Sequence, residues 1–213
     1  MPNNPDFLKR RVGLLGGGFD PPHDGHLRLA QIAWENLTLD ELRFVPAYFT
    51  PLKSQAVASP EMRCQMLQEM LSGTPFTIDK TELALGEISY TINTLETLSK
   101  REPGSAWILV IGSDQATLFE SWRNNAQILE IASIAIAPRP NSAIPDIDYP
   151  ALPDILSARI ADKWTGIAGQ VIMLPSTQIE LASSQIRNQI ANNTAPSGLS
   201  AQVKATITRL KIY

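Results

Sequence analysis

The sequence is poor in the features that mark secreted, membrane-bound or nucleic-acid-binding chains. A single cysteine, Cys64, stands in 213 residues, so no intrachain disulfide can form and a reducing compartment is the expectation. Its neighbours Met62, Met66 and Leu67 place it on a helical core face. Long apolar runs are missing: the longest, around residues 128–137, is interrupted by Glu130 and stopped by Pro138, far short of the roughly 20 residues a membrane span needs. The opening MPNNPDFLKRR leads into only four apolar-type residues, 12–15, before glycines, which is no signal-peptide core. There is no excess of positive charge either. With 18 Lys+Arg against 21 Asp+Glu the net charge is -3, so any phosphate must be held by local groups rather than by an overall basic field. Together these absences predict a cytoplasmic protein with neither nucleic acid nor membrane as partner. They leave open whether it forms a homo-oligomer.

What is present describes an ordinary globular protein, 44% hydrophobic and 18% charged, long enough for one sizeable core. We read residues 1–213 as a single domain. Residues 12–15 form a short buried strand ending in Gly16-Gly17-Gly18, a helix follows from Gly25 to about Leu37, and a second strand at 42–45 ends at Pro46. Ser59-Pro60-Glu61 supplies a cap, an N1 proline and an early acid for the next helix. A short strand at 76–79, a helix from Thr91 through Leu98, a strand at 107–111, a helix at 125–132 and a strand at 134–137 continue the alternation. Residues 138–169, with prolines at 138, 140, 145, 150 and 153, read as an insertion carrying a helix through Leu156 and Ile160. A strand at 171–174, a helix opened by Ser183-Ser184 and a closing helix at 200–210 complete the chain. Strands alternating with helices predict an α/β fold with a doubly wound parallel sheet sandwich, in which ligands sit beyond the carboxyl ends of the strands.

The first motif there is Gly16-Gly17-Gly18-Phe19-Asp20-Pro21-Pro22-His23-Asp24-Gly25-His26. The chain has two histidines, and both fall here, three apart at a helix start where free N–H groups and the dipole already favour an anion. Phe19 and Asp20 break the G-x-G-x-x-G spacing, so a dinucleotide-binding fingerprint is not supported. A second segment, Leu181-Ala182-Ser183-Ser184-Gln185-Ile186-Arg187, offers capping hydroxyls. It also places an arginine near a helix N-terminus, against the dipole, which a bound anion would compensate. Ile111-Gly112-Ser113-Asp114 ends the most apolar strand, where an acid can hold a ribose hydroxyl, and Ser121-Trp122 follows. No carboxylate pair stands at metal-ligand spacing, so no protein metal site is expected.

GGGFDPPHDGH resembles the GGxFDPxHxGH signature of the HxGH-motif nucleotidylyltransferase superfamily. TELALGEISYTINTL, VIGSD and ESW, in order along nearly the whole chain, are similar to the bacterial nicotinate-nucleotide adenylyltransferases. The resemblance implies the Rossmann-like nucleotidylyltransferase fold. It also implies direct transfer of AMP from ATP to nicotinate mononucleotide, with Mg²⁺ held mainly by ATP phosphates and water. By resemblance His23, His26 and Arg187 are catalytic, and Gly17, Gly18, Phe19, Lys53, Gly112, Asp114, Ser183 and Ser184 join them in holding ATP. Ser89, Tyr90, Thr91, Asp114 and Trp122 would hold the pyridine nucleotide, Trp122 by stacking. Four places depart from the family pattern: Gly18 where Thr is usual, Leu52 where His is usual, Glu87-Ile88 where Gly-Pro is usual, and Arg123 where Tyr is usual. Ala182 likewise replaces a serine. These keep two alternatives in view, nicotinamide mononucleotide as acceptor and a non-catalytic nucleotide sensor; the SYT segment and Trp122 argue against phosphopantetheine.

Overall fold

The computed structural model describes residues 9–50, 56–138 and 152–213. Strand β1 (Arg10–Gly17) leads through helix α1 (Asp24–Leu37) to β2 (Glu41–Pro46), and α2 (Pro60–Leu71) leads to β3 (Thr77–Ile78). Helices α3 (Thr81–Leu85) and α4 (Thr91–Arg101) precede β4 (Ser105–Gly112). Then come α5 (Ser113–Ala116), a 3-10 turn at Phe119–Ser121, α6 (Asn125–Ile131) and β5 (Ala132–Ala137). The remainder is α7 (Asp154–Ser157), β6 (Val171–Met173), α8 (Ser183–Ala191) and α9 (Ala201–Leu210).

The six strands are parallel in the order β3-β2-β1-β4-β5-β6. Strand periodicity shows why both faces are covered: Val12 and Leu14 join one apolar cluster while Leu15, on the opposite face, joins the other. Helices α1, α2, α8 and α9 bury Ile32, Met66, Ile186 and Val203 in the first layer, and α4 and α6 bury Leu95 and Ile128 in the second. Each such fully buried aliphatic contributes about 1.5–3 kcal/mol. The chain leaves β1 towards β2 on one side and returns to β4 on the other. The carboxyl ends of β1 and β4 therefore frame the topological switch point, where an open α/β sheet has its crevice.

The doubly wound parallel sandwich expected from the sequence is present, and Cys64 is buried in α2. Ser59 caps α2 as read, accepting the Met62 N–H at 3.3 Å. Two local readings change. The helix expected through Leu156 and Ile160 stops at Ser157, because the next backbone groups pair with β6 instead: Ala161 donates to Val171 O and Val171 to Arg159 O, both at 2.9 Å. Ser183 and Ser184 open α8 as expected but do not cap it: Ala182 takes the cap position, and the Gln185 side chain accepts the Ala182 N–H at 3.2 Å. Much of the proline-rich segment, 139–151, lies outside the described residues. No described helix is long and apolar enough to cross a membrane.

Candidate active site

The glycine turn at the end of β1 is built for close approach. A Cβ on Gly16 or Gly18 would meet nothing within 4 Å, whereas one on Gly17 would press on the Phe19 ring at 3.0–3.3 Å. Phe19 itself adopts φ 50, a left-handed conformation that costs a non-glycine residue of order 1–3 kcal/mol. Its ring offsets that cost in the core, with 1% exposure, against Phe44 at 5.6 Å and His26 at 5.0 Å between centroids. Only the Phe19 backbone is therefore placed to meet a ligand.

The buried carboxylate of Asp20 ties the turn to three distant segments. It accepts the N–H groups of Val57 at 2.9 Å and Ala58 at 3.0 Å, and the hydroxyl of Tyr213 at 2.6 Å. From α8, Arg187 donates to the Asp20 carbonyl at 2.6 Å and sits 3.6 Å from its carboxylate, and Ser183 donates its hydroxyl to Pro21 O at 2.9 Å. Underneath, the fully buried Arg63 donates to Gly18 O at 2.7 Å and Tyr48 O at 3.2 Å. Burial pulls the Arg63 guanidinium below its ordinary pKa, with the Asp20 carboxylate opposing the shift. Burial, and then the bond to Asp20, raise the Tyr213 phenol well above its ordinary value, so it stays a donor.

His23 is the cap residue of α1 and is 3% exposed. His26 lies one turn on, and the two rings stack with centroids 3.8 Å apart. The His23 N–H is directed at Nδ1 of His26 at 3.2 Å. An imidazole that accepts at Nδ1 carries its proton on Nε2, so His26 presents an Nε2–H donor.

At the other end of the same cavity stand Ser89, Tyr90 and Thr91, at the start of α4, with Asp114 and Trp122 also on the wall. Trp122 packs on Phe119 at 5.4 Å, and its indole N–H is buried with no hydrogen-bond partner among the described residues. Beneath the Ser89 loop lies Glu82, only 9% exposed, which accepts the Thr94 hydroxyl at 2.7 Å and bonds the Ser89 hydroxyl. Ser89 Oγ accepts in turn from the Tyr48 N–H at 2.9 Å. Burial pushes the Glu82 carboxyl up, towards its neutral form.

The cavity joining these ends holds about 890 Å³. It brings together Gly17, Gly18, Phe19, His23, His26, Gly112, Asp114, Ser183, Ser184 and Arg187 with Ser89, Tyr90, Thr91 and Trp122. Of the residues expected from the sequence, Lys53 lies outside the described part of the chain. Glu87, one of the departures from the family pattern, lines a separate outer cleft and not this cavity. Asp20, Arg63, Glu82, Arg123 and Tyr213 were not foreseen as site residues. Among the described residues no three of His, Cys, Asp or Glu converge to hold a metal ion.

Residues 14–189 match the cytidylyltransferase-like family. A protein of Hydrogenovibrio crunogenus assigned as a nicotinate-nucleotide adenylyltransferase is 36% identical over 184 residues, covering 86% of this chain and 87% of its own length. The chain belongs to the nicotinate-nucleotide adenylyltransferase family. A Rhodopirellula baltica relative with the same assignment is 40% identical over 182 residues, 84% of this chain and 82% of the relative. In fold, the chain is similar to the Plasmodium falciparum nicotinic acid mononucleotide adenylyltransferase complexed with NaAD. That match has a TM-score of 0.73 at 15% identity, over 95% of this chain and 96% of that one.

Proposed function

We propose that this member of the family joins the AMP of ATP to nicotinate mononucleotide, giving deamido-NAD and pyrophosphate as a step of NAD biosynthesis in the cytoplasm. The observation that carries the reading is the two-ended cavity. A phosphate-seeking end made of the glycine turn, the stacked histidines and Arg187 faces an aromatic end made of Tyr90 and Trp122 across the β1/β4 switch point.

In the reaction an oxygen of the acceptor's phosphate attacks the α-phosphorus of ATP, a new P–O bond forms, and the bond to the β-phosphate oxygen breaks to release pyrophosphate. No protein nucleophile is required. What accelerates such a transfer is alignment of the two phosphates and stabilisation of charge spreading over phosphorus oxygens. Backbone at Gly17-Gly18-Phe19 can approach the phosphates closely, and the Nε2–H of His26 supplies a donor held in place by His23 N–H. Arg187 spends one of its N–H groups on the Asp20 carbonyl and keeps others for the departing pyrophosphate. The N-terminus of α8 with Ser184 adds partial positive charge. Mg²⁺ would travel with ATP and be held by its phosphates and water, since the Asp20 carboxylate is already committed to Val57, Ala58 and Tyr213. Asp114 holds a ribose hydroxyl, and Trp122 stacks on the pyridine ring.

The test is pyrophosphate release with ATP and Mg²⁺, comparing nicotinate mononucleotide with nicotinamide mononucleotide at equal concentration. Strong preference for the acid supports the reading. Preference for the amide keeps the chemistry and changes the substrate, and release with neither acceptor overturns the reading.

A further inference from the structure

We infer that Arg123 is a specificity-determining residue of the acceptor site, the cation that selects an acceptor carrying a pyridine carboxylate over its uncharged amide. The inference rests on the function proposed above and assigns it a residue.

Its guanidinium carbon lies 4.8 Å above the Tyr90 ring, a cation–π contact that orients the planar fork. Arg123 and Tyr90 border both the main cavity and the outer cleft, so the pair forms part of the wall between them. Arg123 follows Trp122 directly in the chain, and both line the cavity together with Ser89 and Thr91. Among the described residues that line the cavity, the arginines are Arg123 and Arg187, and Arg187 is committed at the far end to Asp20.

The charge balance at the aromatic end favours a cation there. Asp114 lies there, and Glu82 lies beneath the Ser89 loop. An acceptor with a ring carboxylate brings further negative charge into that end, which a cation offsets and an uncharged amide does not require. Burial shifts Glu82 towards its neutral form, which lessens the repulsion without supplying attraction. A guanidinium beside the ring-stacking tryptophan supplies it, with two parallel N–H groups matched to a carboxylate. Glu87, on the outer-cleft side of the same wall, does not reach the cavity to cancel it.

The experiment measures kcat/KM for nicotinate mononucleotide and for nicotinamide mononucleotide, each with saturating ATP and Mg²⁺, in the wild-type enzyme and in Arg123→Gln and Arg123→Lys. The side chain is exposed, so both variants are expected to keep the wild-type melting temperature. In Arg123→Gln the acid-to-amide ratio should fall about tenfold, mainly through KM for the acid, as expected for one partly solvated charge-assisted contact. Arg123→Lys should recover part of the ratio, since it keeps the charge and loses the fork. An equal loss for both acceptors would assign Arg123 to the phosphate they share and overturn the inference, as would an unchanged ratio. If the wild-type enzyme turned over neither acceptor, the proposed function itself would fail, a result separable from a failure confined to the variants.

Discussion

Gly25→Ala is expected to damage catalysis while leaving the fold intact or slightly stabilised. Gly25 is the second residue of α1, and its φ is not in the left-handed region, so the backbone accepts alanine. Replacing glycine by alanine in a helix stabilises by roughly 0.5–1 kcal/mol, less in a first turn. The obstacle is local: a Cβ there would stand 3.0 Å from Nδ1 and 3.1 Å from Cε1 of His23. Ordinary contact begins several tenths of an ångström farther out, so the imidazole must move by that amount. It cannot move freely, being 3% exposed and stacked 3.8 Å from His26. The displacement is therefore passed to the second ring and to the His23 N–H bond that fixes its tautomer. A misplacement of 1 Å costs about 10²-fold in rate, so a shift of a few tenths should lower kcat by roughly 3–10-fold. The assay pairs steady-state pyrophosphate release with a melting curve, where 1 kcal/mol moves Tm by about 2–4 °C for a chain of this size. A wild-type kcat would show that the ring position does not matter. A fall in Tm of more than about 5 °C would show that the whole helix start had been disturbed, and either result refutes the reasoning.

His26→Ala removes one aligned donor and should lower kcat by about 10²–10³-fold with little change in Tm; unchanged turnover excludes the role given to its Nε2–H. Glu82→Gln keeps the shape of a neutral carboxyl between Thr94 and Ser89, so near neutral pH the variant should melt at or above the wild-type temperature. Because burial raises the Glu82 pKa in the folded chain, its contribution to stability is fullest at low pH and drains as pH rises through the folded value. The variant should therefore lose that part of the pH dependence, and a Tm difference that does not vary with pH would refute the assignment. On the far side of β2, Arg43 bonds Glu41 at 2.6 Å, Glu102 at 2.7 Å and Asp79 at 3.3 Å. Removing it as Arg43→Met strands the buried Asp79 and the half-buried Glu41 and Glu102 and should destabilise by about 3–5 kcal/mol, read by urea denaturation; a loss under ~1 kcal/mol would mean the cluster is solvated. Burial pushes Asp79 and Glu41 up, but bonds from Thr81 and Arg101 to Asp79, and from Arg43 and Thr77 to Glu41, outweigh it and leave both depressed; bonds from Arg43 depress Glu102 against a smaller cost of burial. That stability is complete above the ordinary carboxylate range and is lost as pH falls through the folded values, so wild-type Tm should drop steeply below about pH 4.

The parallel sheet was legible because buried strands with both faces covered read as short apolar runs, as at residues 107–111 and 134–137, punctuated by glycine and proline. The phosphate end was legible for a different reason: two histidines on one helix start have few structural explanations. What the sequence hid were groups whose importance is tertiary. Arg63 is the fourth residue of α2, among methionines, and looks like a surface charge, yet it is among the most buried side chains, because its partners are carbonyls at Gly18, Tyr48 and Ala58. No local pattern signals that Tyr213 bonds a residue 193 positions earlier. Helix α3 went unread because five residues are too few to show a helical period. Gly18, where the family usually carries threonine, proves sterically open, so its missing hydroxyl reflects no crowding at the turn.

These tertiary groups explain how a glycine-rich turn, which by itself would sample many conformations, can hold catalytic geometry. Each glycine adds backbone freedom that must be lost before the phosphates can be aligned. Here the freedom is removed from outside the turn. Asp20 is held by two backbone N–H groups and a phenol, its carbonyl by Arg187, Pro21 O by Ser183, and Gly18 O by Arg63. Most of these partners have no business with substrate; Arg187 and Ser183 do double duty, locking the turn and lining the cavity. The start of α1 is fixed the same way, since the Asp24 N–H donates to Gly198 O at 2.9 Å. Chain segments separated by more than 150 residues thus converge on one turn. Substitutions at Arg63 or Tyr213 should accordingly act on kcat as well as on stability, although neither side chain belongs to the cavity wall.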